Sequence, residues 1–222
     1  MAMAAARKLI PGQAIGRLVR EALYDTENAI ASTNYAQLTF FSKPQGQTLN
    51  DGTVKSLTHT NLTQASMLGE PNQFVCMGFR VKVTKVAAAD THPETYQALR
   101  NQVRRQGTLQ FGLGGKLYYD VPLNEVPQGL GFDGFYSQAA AADMDIVNYG
   151  RPEANMYYTL RIPSRVQGIF RSAAAEYAGY ELIDSTTPIT CKILFDPVLA
   201  CAANEQVDIQ VQLVGIRLKA IG

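Results

Sequence analysis

Two long stretches of alternating apolar and polar residues dominate the chain. The first is Gln73–Val86 (QFVCMGFRVKVTKV), in which Val75, Met77, Phe79, Val81 and Val83 share one parity while Arg80, Lys82 and Thr84 take the other. Period-two alternation predicts a β-strand with one buried and one wet or interfacial face. The second is Gln206–Ile221 (QVDIQVQLVGIRLKAI), with Val207, Ile209, Val211 and Leu213 at odd positions and Ile216, Leu218 and Ala220 at even ones. The apolar set therefore changes parity, and Gly215 sits at the changeover. A one-residue slip reverses every facing, so a β-bulge is expected near Val214-Gly215. Both stretches exceed twice the typical strand length of ~5–6 residues, which suits a large sheet or a neighbouring chain to pair with.

Shorter elements fill the interval. Ala36–Phe41 alternates as a strand. Residues 43–53 form a turn-rich loop, sharpest at Asn50-Asp51-Gly52, and Val54–Thr63 suggests a weak strand. Leu68-Gly69-Glu70-Pro71-Asn72 punctuates before the first long strand. Thr91-His92-Pro93-Glu94 fits a capping box opening a helix that runs to about Gln106, with Tyr96, Leu99 and Val103 as its apolar stripe and Gly107 as its stop. Arg100, Arg104 and Arg105 lie towards its C-terminal end, where the helix dipole favours cations. Thr108–Leu113 and Lys116–Val121, joined by Gly114-Gly115, read as a hairpin. Pro122–Gly150 has no regular period and reads as an ordered surface excursion that makes contacts. Asn155–Ile162 is a strand ended by Pro163, Ser172–Ala178 a short helix, and Ile189–Phe195 a strand closed by Asp196-Pro197.

Residues 1–32 differ. Ile15, Leu18, Val19, Ala22 and Leu23 recur at helical spacing, with Arg17, Arg20 and Glu21 off the stripe. Arg7, Lys8, Arg17 and Arg20 against Glu21 make the first 24 residues basic, 4 − 1 = +3. The expectation is a helical arm over 1–32 that either docks on a neighbour or packs on its own domain, followed by one β-sandwich domain over 33–222. About eight strands with long, unequal connections suit a Greek-key sandwich better than an up-and-down barrel. The predicted class is mainly β, with one or two short helices.

Composition changes this picture in one respect. Charged residues make up 18% and the net charge is +1, with Gln, Asn, Thr, Tyr and Gly in place of charge. Net charge near zero gives little colloidal repulsion, and neutral aromatic surface favours association. A chain of 222 residues buries enough core to need no staple. Cys76, Cys191 and Cys201 show no paired spacing and read as buried thiols. Arg7 and Lys8 lead into Pro11-Gly12-Gln13 instead of an apolar run, so no secretory signal is expected, and no run of ~18 apolar residues offers a spanning helix.

Chemistry is sparse. His92 is absorbed by the capping box and His59 lies in a Thr-rich stretch, without an HxH or HExxH pattern. Ser164 and Ser172 lack a nucleophile-elbow context, and Asp143 and Asp145 read as solvated acids. Residues 111–116 (FGLGGK) and 129–134 (GLGFDG) lack the following helix that phosphate binding requires. Asn61-Leu62-Thr63 is a sequon without a secretory context. No enzyme activity, cofactor or metal is expected.

The order of elements resembles the jelly-roll major capsid proteins of tailless icosahedral viruses, particularly those with an internal membrane. The likeness rests on the basic segment Arg7–Ala22, on Asn61-Leu62-Thr63-Gln64-Ala65 leading through Leu68–Phe74 into a long strand, on the Gly- and Tyr-rich middle Phe111–Tyr149, and on the closing strand Val207–Ala220. It implies a single jelly roll, the chain being too short for two, that self-assembles into capsomers of a virion shell with the arm on the inner side. The contacts expected are Arg7, Lys8, Arg17, Leu18, Arg20 and Leu23 in the arm, and Phe132, Phe135, Tyr136 and Tyr149 in the long loop. Expected partners are other copies of the chain, other virion proteins and internal membrane lipid through the arm, with direct genome contact disfavoured by the neutral balance. The implied place is the virion, after synthesis in the host cytoplasm. The rival reading is a spike, tail or glycan-binding β-sandwich module; the absence of Trp, the usual sugar-stacking residue, counts against it.

Overall fold

A computed structural model describes residues 16–69, 73–87, 93–126, 135–138, 145–148, 158–159, 181–203 and 205–220. Its strands are β1 (Gly16–Ala29), β2 (Asn34–Phe40), β3 (Gln73–Ala87), β4 (Gly107–Leu113), β5 (Lys116–Pro122), β6 (Phe135–Gln138), β7 (Asp145–Asn148), β8 (Tyr158–Thr159), β9 (Glu181–Ile183), β10 (Ile189–Ala200) and β11 (Gln206–Ala220). The helix α1 spans Pro93–Gln106. One antiparallel sheet has the order β1-β11-β3-β8, with β9 also on β3, and a second has the order β2-β10-β4-β5. The short strands β6 and β7 pair separately.

Pairing is nested. The first long strand lies against the last, β2 against β10, β3 against β8 and β9, and β4 against β5 at the centre of the nest. The two sheets share one apolar core, into which Leu23, Phe74, Phe79, Ile209 and Leu213 project from the first and Leu38, Phe40, Phe111, Ile189 and Ile193 from the second. Phe79 bridges the layers, its ring 6.1 Å from that of Phe111 and 5.9 Å from that of Tyr119. Leu99 and Val103 bring the apolar stripe of α1 onto the same core. The fold is mainly β and sandwich-like.

The predicted hairpin is present, with Gly114 and Gly115 both at positive φ (+58° and +80°), the conformation a tight two-residue turn demands. The turn at Asn50-Asp51-Gly52 is also present, with Gly52 at φ +82°. The predicted slip appears too: the register of β11 on β3 shifts between Val214 and Gly215. The extra residue belongs to the partner strand. Val214 faces Gly78 and Gly215 faces Cys76, so Met77 is the bulged residue. Phe74 and Cys76 therefore enter the core before the bulge and Phe79 and Val81 after it, while Val75 and Met77 are only half-buried. The single apolar face expected over Val75–Val83 is corrected accordingly.

Three further expectations are corrected. Residues 16–29 form no helix; they are the edge strand β1, in register with β11 from Gly16↔Ala220 to Ala29↔Val207. Removing residues 1–24 would thus strip part of a sheet and not a detachable arm. Val54–Thr63 holds isolated bridges only, at Thr48↔Val54 and Asp25↔Thr60. The strand at Ile189 does not close at Asp196-Pro197 but continues to Ala200, with Pro197 where the ladder to β2 is interrupted between Leu194 and Leu199. The second predicted helix, Ser172–Ala178, lies outside the described residues, as do residues 1–15.

Gly215 admits no side chain. A Cβ there would lie 2.0 Å from the Val75 carbonyl oxygen and 2.7 Å from the Phe74 ring. Gly215→Ala should cost about 3 kcal/mol or more, because a backbone atom is the obstacle. A shift of the urea midpoint at unchanged slope is the measurement.

Candidate functional site

The connection from β2 to β3 is a long excursion folded against β1, and it carries the most unusual chemistry among the described residues. On β1, Leu23, Asp25, Glu27 and Ala29 stand opposite Leu213, Val211, Ile209 and Val207, all of them fully or almost fully buried. Cross-strand partners share a face, so two carboxylates project into the interior between apolar neighbours. Such charges require a partner. It comes from the excursion: Lys55 Nζ donates to Asp25 Oδ1 at 2.8 Å and to Glu27 Oε1 at 2.6 Å. The side chains of Lys55 and Asp25 are 0% exposed and that of Glu27 is 3% exposed. Lys43 Nζ reaches Glu27 Oε2 at 3.3 Å from a more exposed position, so two cations balance two anions. Asp25 Oδ2 accepts the Phe41 backbone N–H at 2.6 Å. Burial pushes the Asp25 carboxyl up to about 6, against the opposing pull of Lys55.

The excursion is tied down on both sides of this cluster. Asn61 Oδ1 accepts the Tyr24 N–H at 3.0 Å and its amide nitrogen donates to the Ala22 carbonyl at 2.8 Å. That use accounts for the sequon asparagine as a structural residue. Asn28 Oδ1 accepts the Asn50 N–H at 2.9 Å, and Asn50 Nδ2 donates to the Asn28 carbonyl at 2.6 Å. Lys55 N–H donates to the Gln47 carbonyl at 2.7 Å and Gly46 N–H to the Lys55 carbonyl at 3.0 Å, fixing the backbone that presents the ammonium. On the opposite face of β1, Gln210 Nε2 donates to Thr26 Oγ1 at 3.1 Å beneath the Thr58 carbonyl. The segment thereby covers the edge of β1, which would otherwise offer unpaired backbone groups.

Polarity on the excursion is inverted. Lys55 is buried while Val54 and Leu57, close to it in sequence, are 57% and 66% exposed. Five large apolar side chains are exposed among the described residues, and Val54, Leu57 and Met67 of this segment are three of them; the others are Leu117 and Val198. Tyr24 Oη donates to the Leu57 carbonyl, so the backbone under the exposed leucine is anchored. The segment thus holds these apolar side chains outward on a hydrogen-bonded backbone.

None of the residues anticipated from sequence as contacts belongs to this excursion. Leu23 belongs to the core of its own domain and offers no surface. Arg17, Leu18 and Arg20 occupy β1 positions opposite Lys219, Leu218 and Ile216. Phe135 and Tyr136 lie on β6, paired with Asn148 and Val147 of β7. Arg7, Lys8, Phe132 and Tyr149 lie outside the described residues. Sequence reasoning missed Asp25, Glu27 and Lys55, because the helical reading of β1 hides the i, i+2 relation of the acids. All three cysteines are buried free thiols; burial pushes Cys191 far up and Cys201 to about 11, which leaves both protonated and poor nucleophiles. Among the described residues no group of His, Cys, Asp or Glu is arranged to hold a metal, and no helix is long and apolar enough to cross a membrane. Comparison of the chain with protein-family models, curated proteins and solved structures found no match.

Breaking this cluster should be costly and position-dependent. Lys55→Met should destabilise the protein by ~3–5 kcal/mol, because it leaves the buried Asp25 carboxylate without a cation and Glu27 with Lys43 alone. Lys43→Met, at the half-exposed partner, should cost ~1 kcal/mol or less. Urea denaturation of the two variants beside the parent measures the contrast.

Proposed function

We propose that this chain is a structural virion protein, a single jelly roll that self-associates into the capsomers of an icosahedral shell. The observation that carries the reading is the outward Val54 and Leu57 around the inward Lys55 on a pre-ordered segment. Outward apolar side chains on a segment anchored by buried ion pairs support a surface that meets a neighbour. The nested strand pairing supports the jelly-roll part of the reading. First with last, second with last but one, and so inward is the pattern left when one long hairpin is wound into two layers, here one sheet of five strands and one of four. That fold serves shells, lectins and enzymes alike, so the surface and not the fold carries the function.

The mechanism is geometric. An ordered excursion has already met its conformational cost, so apolar contacts with a neighbour convert more fully into affinity. Each copy in a closed shell makes several contacts, and weak interfaces suffice when multiplied. The partners of this surface are other copies of the chain and other virion proteins. The lipid contact expected through the basic segment rests on Arg7 and Lys8 and is a separate part of the proposal.

The double substitution Val54→Asp with Leu57→Asp should leave the unfolding midpoint within ~0.5 kcal/mol of the parent, since both positions are exposed. It should also abolish higher assemblies seen by light scattering and electron microscopy. A parent chain that stays monomeric at high concentration would overturn the proposal and favour the glycan-binding or spike module. Unaltered particles from the double variant would remove this surface from it.

A further inference from the structure

The geometry around Lys55 goes beyond an ion pair. A primary amine, a carboxyl carbon, a second carboxylate and a backbone N–H are gathered in a site from which water is excluded. We propose that Lys55 and Asp25 become joined by an intramolecular amide bond, Nζ to Cγ, with Glu27 as the proton relay. The residues take distinct places around the reacting atoms. Asp25 presents Oδ1 to Lys55 Nζ at 2.8 Å, while its Oδ2 accepts the Phe41 N–H at 2.6 Å. Glu27 Oε1 holds the same nitrogen at 2.6 Å.

The chemistry balances without a further reagent. Glu27 takes one proton from the Lys55 ammonium and passes it to Asp25 Oδ1, leaving a neutral amine facing a neutral carboxylic acid. The nitrogen lone pair forms the Cγ–Nζ bond, and the carbonyl electron pair moves onto Oδ2. The Phe41 N–H faces that oxygen and stabilises the developing charge. Glu27 then takes a second proton from Nζ and delivers it to Oδ1. The Cγ–Oδ1 bond breaks, water leaves with that electron pair, and the carbonyl re-forms at Oδ2. Of the three ammonium hydrogens one stays on the amide and two leave in the water, while Glu27 regains its carboxylate. Nothing is oxidised or reduced.

Two physical terms favour the step. Groups fixed at contact in one fold react as if at ~10⁵–10⁸ M, which offsets the preference of free amine and acid to stay apart in water. The raised pKa of Asp25 reflects an environment that favours the neutral acid, the acylating form. The product also resolves the charge balance. Condensation removes one cation and one anion, and the remaining Glu27 carboxylate keeps Lys43 at 3.3 Å. The bond would staple the excursion that bears Val54 and Leu57 to β1. The proposal does not depend on what that surface binds.

The test is the mass of the intact, denatured full-length chain, followed by protease mapping. The expected result is a mass one water below that of the sequence, and a branched peptide uniting the segments that contain Asp25 and Lys55. Lys55→Arg should restore the full mass, and Glu27→Gln should slow the linkage by on the order of 10²-fold or more, as loss of a proton relay does. A parent chain of full sequence mass overturns the proposal, and because that measurement needs no variant, misfolding of a variant does not rescue it. A branch at Glu27 overturns the assignment of Asp25, and rapid linkage in Glu27→Gln overturns the relay. A water missing from Asp51-Gly52, which returns in mild base as a cyclic imide reopens, also counts against the proposal.

Discussion

Placing two carboxylates on the core-facing side of an edge strand is the constraint from which the rest of the molecule follows. Asp25 and Glu27 lie among Leu213, Val211 and Ile209, where an uncompensated charge costs several kcal/mol. Strand β1 can therefore occupy its place only if the excursion brings Lys55 beneath it. The excursion in turn can reach that position only if its backbone is held by Gln47, Asn50 and Asn61. The edge of one sheet and the longest described connection are thus a single cooperative unit, although some thirty residues separate their key charges.

That unit accounts for what the sequence revealed and what it concealed. The strands β3, β4, β5 and β11 are legible because each buries one face against a common core, which imposes period two. The Gly114-Gly115 turn and the slip at Gly215 are legible for a local reason: backbone geometry admits nothing larger. Strand β1 is illegible for the opposite reason. Two of its inward positions are acids, and its outward Thr26 and Asn28 are buried beneath the excursion. Neither face alternates, and the helical spacing of Leu18, Val19, Ala22 and Leu23 is left as the strongest local pattern. Tertiary pairing with β11 overrides it. The bulge at Met77 blurred β3 in a lesser way, by exchanging the inward set from Phe74 and Cys76 to Phe79 and Val81. The partner of the two acids has no local signature, since Lys55 in a Thr- and Ser-rich loop reads as an ordinary solvated lysine.

An ionic cluster differs from an apolar plug in what it specifies. A leucine at position 55 would find many near-equivalent seatings along β1, and a well-packed apolar substitute for a buried ion pair is often as stable. An ammonium must instead meet both carboxylates at hydrogen-bonding distance, and one of those carboxylates is itself held by the Phe41 N–H. A single register of excursion on strand satisfies all of these contacts. That is what a surface requires if Val54 and Leu57 are to meet the same features on every neighbour. Under the proposed self-association, the precision of a repeated contact would share its origin with the desolvation of Lys55, which is buried on the same segment that holds Val54 and Leu57 outward.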